Sequence, residues 1–199
     1  MDEIKVMEKP EWVSWDDIHE LILAAHKKNI AKGMVMRTAM LPGAELKKIV
    51  GEKGKCFVAF SGDQLVGTTS VSVFYGKAWY NKTRLVAHSM LSAILPKFQG
   101  LGIQEDMNIL RDEFITDIGA EVLQAETAEH NFTVRQKTKQ NGYKEVAYGA
   151  SSTDHYYVIL VKWLKGRSFS DSYCKFRFHL SEWYIKIRYK PGGIKRFGI

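Results

Sequence analysis

The chain has 199 residues, 45% hydrophobic and 26% charged, a length and balance that fit one folded domain with at most one appended element and exclude a disordered chain. Its longest uncharged stretches, Leu65 to Gly76 and Leu85 to Pro96, fall well short of the roughly 20 residues a membrane-crossing helix needs. The net charge of +7 is unevenly placed: residues 162–199 hold ten Lys/Arg against two Asp/Glu, a balance of +8, which leaves −1 for everything before them. Basicity therefore belongs to the C-terminal end and argues for a local role there, not for a nucleic-acid-binding body.

In chain order, the opening MDEIKV is acidic where a secretory leader would be basic, and no apolar run follows, which predicts a cytoplasmic protein. Ser14 precedes Ile18, Leu21, Ile22 and Ala25 at helical spacing, with Asp16 and Asp17 in the first turn, so an amphipathic helix is predicted from about Ser14 to Lys28. A shorter helix is expected from Pro42 through Leu46, Ile49 and Val50 to a stop at Gly51. CFVAF and LVGTTSVSVF, around a turn at Ser61 to Gln64, read as a β-hairpin. Asn81-Lys82 leads into a third strand, about Arg84 to Leu95, whose alternation puts Val86, His88, Met90, Ser92 and Ile94 on one face.

Pro96 ends that strand, and Gln99-Gly100-Leu101-Gly102 turns the chain into a helix carrying Ile103, Met107, Leu110, Phe114 and Ile118 on its apolar face. A short strand (EVLQAET), a helix from Asn131 to Gln140, and strands from Tyr143 to Ala150 and His155 to Leu164 follow, the last two joined by a polar turn at Ser151 to Asp154. This order predicts a mixed α/β (α+β) fold with a largely antiparallel sheet flanked by helices. Cys56 and Cys174 form no C-x-x-C pair, and His19 and His26 stand seven residues apart with no H-E-x-x-H, so reduced thiols and no metal site are expected.

The chemistry-bearing stretch is the strand-to-helix turn. Glycines there let the backbone approach a ligand closely, and the helix N-terminus offers unpaired N–H groups and partial positive charge to an anion. Neither the G-x-G-x-x-G nor the Gly-Lys-Ser/Thr pattern is met, which excludes the Rossmann and P-loop versions of such a site.

Gln99-Gly100-Leu101-Gly102-Ile103 after a strand ending in Ile94-Leu95-Pro96, then a long helix, a strand, Asn131 opening a second helix and Gly142-Tyr143 starting the next strand, resembles the GNAT superfamily of acetyl-CoA-dependent N-acetyltransferases over roughly residues 3–164. The resemblance implies a GNAT-like domain over 1–164 followed by a basic aromatic extension, 165–199, packed on or near it. It also implies that acetyl-CoA is the co-substrate. Backbone N–H groups of Gln99, Gly100, Leu101, Gly102, Ile103 and Gln104 would cradle its pyrophosphate, Ile94 and Leu95 would pair with its pantetheine arm, and Asn131 would contact that arm. Two positions depart from the pattern: Gln104 stands where Gly or Ala is usual, and Glu105 and Asp106 follow it, with Lys97 and Lys137 available to offset them.

Direct transfer to an amine needs the amine unprotonated, the thioester carbonyl polarised and a proton for the departing thiolate. The tyrosine that supplies this proton in several members falls, seven residues after Asn131, on Thr138, which points instead to Tyr143, Tyr156 or water. The base position of histone acetyltransferases falls on His88, a side chain suited to taking a proton near neutral pH; Glu126 and His130 are the competing candidates.

In the end segment, Tyr173, Phe176, Leu180, Tyr184 and Ile187 fit one helical face, while Phe176, Phe178 and Leu180 fit a strand equally well. Such a segment can line an anionic pocket, lie on a membrane surface, bind RNA, or pack against the body with its cationic heads in solvent. The expectation is an N-acetyltransferase acting on a small primary amine, such as an anionic amino sugar, with no nucleic-acid partner. The alternative is a non-catalytic GNAT-like module that engages a membrane or nucleic acid through its basic tail.

Overall fold

The computed structural model describes residues 3–31, 40–76, 83–150, 156–165 and 169–189. The turns expected at Asn81-Lys82 and Ser151 to Asp154, together with His155 and Pro191 to Gly193, lie outside the described residues. Contacts divide the mixed α/β chain into two compact units, Met1–Phe74 with Ala87–Gly119, and Tyr75–Val86 with Ala120–Ile199.

The first unit holds β1 (Ile4–Glu8), α1 (Trp15–Ala31), α2 (Gly43–Val50), β2 (Lys55–Ser61), nearly all of β3 (Gln64–Gly76), most of β4 (Arg84–Ile94) and α3 (Ile103–Asp117). Its strands lie in the order β1-β2-β3-β4, and β2 pairs antiparallel with both β1 and β3. Ser14 starts α1 through a reciprocal cap: its Oγ accepts from the Asp17 N–H at 3.0 Å while its own N–H donates to Asp17 Oδ2 at 2.6 Å. Strand alternation then sorts β2. Cys56, Val58 and Phe60 meet Ile18 and Ile22 of α1 and Leu46 and Val50 of α2, whereas Ala59 meets Ile103 and Met107 of α3. With helices on both faces, β2 is buried almost throughout and reads as a continuous apolar run. Each fully buried aliphatic side chain contributes roughly 1.5–3 kcal/mol, so these layers anchor all three helices to the sheet.

β4 departs from the expected alternation. Leu91 sits at φ 54°, a left-handed conformation in mid-strand. Met90, Leu91 and Ala93 all pack with the α1/α2 cluster, while Ile94 packs with the α3 cluster. Two successive residues thus face one side, as at a β-bulge, and the face parity reverses. His88 and Met90 consequently lie on the face opposite Ser92 and Ile94, not on a shared one.

The second unit contains β5 (Val122–Ala128), α4 (Phe132–Gln140), β6 (Lys144–Ala150), β7 (Tyr156–Trp163) and α5 (Asp171–Arg188). β7 lies between β5 and β6 and pairs antiparallel with each. The end segment is helical: Ser170 Oγ accepts from the Tyr173 N–H at 3.3 Å, and the helix docks on β6. Cys174 joins Val86, Val122, Val146 and Val161 in one buried cluster, Phe178 meets the Tyr148 ring edge-on at 6.0 Å, and the Tyr148 N–H donates to Ser181 Oγ at 3.0 Å. No helix of the described residues is long and apolar enough to cross a membrane.

Candidate functional site

At the end of β4 the Leu95 N–H donates to the Val66 carbonyl and the Leu95 carbonyl accepts from Phe98, both at 2.9 Å. Pro96–Phe98 makes one 3-10 turn that buries Phe98 against Ile103 and Met107. Gln99 then folds back, its Nε2 donating to the Ile94 carbonyl at 3.1 Å. The strand end is therefore a fixed platform, in which both backbone polar groups of Leu95 and the carbonyl of Ile94 already bond within the chain.

Gly100 and Gly102 follow at φ 83° and 80°, in the left-handed region that costs other L-residues roughly 1–2 kcal/mol. Among the described residues, no atom beyond the chain neighbours lies within 4 Å of where a Cβ would stand at either glycine. Conformation, not crowding, requires glycine here, and the side their hydrogens face is open to a ligand. Gly102 precedes α3 without a side-chain cap, and the first bond back to it comes from the Asp106 N–H at 3.1 Å. Helix geometry leaves the N–H groups before Asp106 without partners in the helix ladder, at the positive end of the dipole.

Gln104, the departure from the motif, does not fill this space by turning toward the glycines; its Nε2 bonds Asn108 Oδ1 at 3.2 Å along the helix. Glu105 and Asp106 favour the helix start but oppose an incoming anion, while Lys97 lies over the Phe98 ring, 5.5 Å from its centroid.

Arg111, which the sequence reading did not single out, ties α3 to β4. It is 6% exposed, bonds Ser89 Oγ at 3.2 Å and pairs with Asp112 at 2.6 Å. The buried line of α3 is Ile103, Met107, Arg111 and Ile115, slightly rotated from the predicted face. The available signal was an arginine at i+4 within an apolar series. On the other side of β4, burial lowers the pKa of the α1 residue His26, with the nearby Ser92 backbone opposing that shift.

Glu126, His130 and Asn131 stand in the second unit. Asn131 caps α4, its Oδ1 accepting from the Val134 N–H at 3.4 Å. Arg135 braces the turn before it, donating to the Glu129 carbonyl at 2.7 Å and to Glu145 of β6 at 2.6 Å. Burial alone would raise the Glu145 carboxyl; hydrogen bonds and charge from Arg135 and Lys139 outweigh it and hold the pKa below the ordinary value. Glu126 opposes Ile159 of β7. The Tyr157 hydroxyl pKa is raised by burial and then by the charge of Glu126, and a Cβ at Gly149 would displace the Tyr157 ring that lies against it.

Of the two tyrosines expected as proton donors, Tyr156 has its hydroxyl committed elsewhere. Thr138 Oγ1 donates to the carbonyls of Val134 at 2.8 Å and Arg135 at 3.0 Å, Tyr143 is buried, and the Tyr156 hydroxyl donates to the Tyr189 carbonyl at 3.0 Å.

No protein-family model matches the chain, and no curated protein does. Solved structures do. A GNAT-family acetyltransferase from Staphylococcus aureus Mu50 aligns with a TM-score of 0.63 at 14% identity, over 82% of this chain and 100% of that one. The ribosomal-protein-S18-alanine N-acetyltransferase of Escherichia coli aligns with a TM-score of 0.60 at 14% identity, over 83% and 97%. A GNAT-family acetyltransferase from Elizabethkingia anophelis with acetyl-CoA bound aligns with a TM-score of 0.58 at 12% identity, over 82% and 100%.

Proposed function

We propose that this chain, which has the fold of the GNAT acetyltransferases, transfers the acetyl group of acetyl-CoA directly to the primary amine of a small molecule. One observation carries the reading: the uncapped N-terminus of α3 follows two left-handed glycines whose Cβ side is open among the described residues. That surface suits a pyrophosphate, with backbone N–H groups from Gly100 to Gln104 as donors. Acetyl-CoA supplies the activated acyl group and a thiolate leaving group.

The chain's own part is to hold the anion, fix the arm along β4 and take the amine proton. Because both backbone groups of Leu95 and the carbonyl of Ile94 are engaged, the Ile94 N–H and the residues before it are the ones to pair with the arm. The bulge at Leu91 re-aims the β4 backbone there, and Asn131, capping α4 through its Oδ1, retains an amide NH2 as a candidate cofactor contact. His88 is the first candidate base, with Glu126 and His130 next. With the Tyr156 hydroxyl donating to the Tyr189 carbonyl, Tyr143 and water are the candidate proton sources for the thiolate. We place the reaction in the cytoplasm, a reducing compartment that suits the two free thiols, Cys56 and Cys174.

Calorimetry with acetyl-CoA, followed by a screen of small amines including phosphorylated amino sugars with thiol release as the signal, tests this reading. Saturable binding with amine-dependent thiol release supports it. Binding without turnover for any amine would favour a non-catalytic module, and no binding would remove the site from this turn.

A further inference from the structure

We infer that the outward face of α5 docks on an anionic lipid bilayer, the helix lying flat among the headgroups. The two faces of this helix are both apolar, and among the described residues only one is packed against the sheet. Cys174 and Phe178, 3% and 7% exposed, point to β6, with Ser181 on the same line. On the far side, roughly 150° away at 100° per residue, Tyr173, Phe176, Leu180, Trp183 and Ile187 recur at spacings of three, four, three and four. Phe176 is 63% exposed, Leu180 50% and Trp183 64%. Large side chains leave an uninterrupted apolar stripe over most of the helix length, about 27 Å for its 18 residues.

Charge selects the occupant. Both acids of the helix are ion-paired, Asp171 with Lys144 at 2.6 Å and Glu182 with Lys186 at 2.9 Å, Lys186 being shared with Glu129 at 3.0 Å. The cations nearest the stripe are Arg177 and Arg188, with Lys175 farther round the helix, within a segment, residues 162–199, of net charge +8. An apolar stripe rich in Trp, Tyr and Phe with cations along its edges matches a surface that is apolar below and anionic above.

A second copy of the helix fits less well. Arg177 and His179 flank the stripe on opposite sides with Lys186 beyond, so pairing two stripes brings cation against cation. Single-stranded nucleic acid favours a groove with stacking platforms, whereas this face is convex and interrupts its rings with Leu180 and Ile187. A helix that docks one face on β6 and the other on lipid would hold the second unit against a membrane without any crossing segment.

Flotation of the full chain with phosphatidylcholine vesicles, with and without about one-third phosphatidylglycerol, tests the inference. Partition into the anionic vesicles should exceed that into neutral ones by at least about tenfold and fall at high salt. The double variant Phe176→Ser/Trp183→Ser, at two exposed positions, should keep its Tm within a few degrees and lose at least about tenfold in partition. The variant Lys175→Gln/Arg188→Gln should lose about as much on anionic vesicles only.

Should the serine variant fold poorly, brominated lipid provides an independent readout: it should quench an emission component that Trp183→Phe lacks. Equal partition of the serine variant and the parent would overturn the inference, as would absence of that quenching. So would a lipid-free dimer that the serine variant abolishes, or tighter binding to an RNA oligonucleotide than to anionic vesicles.

Discussion

Gly102 concentrates two demands in one residue. Its φ of 80° excludes most side chains by backbone strain, and the open side of the turn is where an anion would approach. Gly102→Val should therefore nearly abolish acetyl-CoA binding in calorimetry, while Gly102→Asn, which tolerates left-handed backbone, should retain the turn and lose affinity only through its added side chain. Unchanged affinity in the valine variant would move the cofactor elsewhere.

His88 was legible as a candidate from the sequence, but its face was not. The reversal originates at Leu91, a residue type that ordinarily avoids positive φ and so gives no local signal of a bulge. With His88 opposite Ile94, its service as base depends on the acyl group lying upstream of the bulge. His88→Ala should then lower kcat by about 10²- to 10⁴-fold and remove the acidic limb of the pH profile. A kcat within about threefold of the parent would pass the role to Glu126 or His130.

Elements were legible where a cap or a single period marked them and ambiguous where two periods coincided. Ser14, Gly102 and Asn131 each stand at the observed start of a helix because their local chemistry acts at that residue. The end segment satisfied helix and strand patterns together. What decides it is tertiary: β6 presents Val146 and Tyr148 to Cys174 and Phe178 at helical spacing.

A comparable long-range tie fixes α4, whose described residues bury no side chain fully and which therefore depends on Arg135 reaching Glu145. Because the Glu145 pKa is held below its ordinary value of 4.5, its ionised form stabilises the fold above that value, and the contribution is lost as pH falls through the depressed pKa. Glu145→Gln should cost about 1–3 kcal/mol at neutral pH, a loss of several degrees in Tm, and the difference from the parent should vanish in strongly acidic solution. A difference that persists unchanged into acid would assign the loss to packing instead.

For the whole molecule, the basic end raises the question whether it is an attachment or part of the fold. Charge alone points to a local role for this segment, because composition records where cations are but not what the residues between them cover. In the structure α5 closes a core: Cys174 seals the cluster of Val86, Val122, Val146 and Val161, Phe178 covers Tyr148, and Lys186 bonds Glu129 at 3.0 Å while lying 5.0 Å from the centroid of the Tyr148 ring. Removing residues 168–199 uncovers these side chains at once. Two buried apolar side chains alone account for roughly 3–6 kcal/mol, a large share of the 5–15 kcal/mol that typically separates folded from unfolded chains. The truncated chain should therefore be insoluble, or melt at least about 10 °C lower than the full chain. Phe178→Ala, which keeps every charge, should reproduce much of that loss at about 3–5 kcal/mol, while Phe176→Ser, two residues away on the outward face, should leave Tm within a few degrees. Equal melting of the Phe178 and Phe176 variants would mean that α5 does not close the core of the second unit, and a truncated chain with the parent's Tm would make the extension an attachment after all.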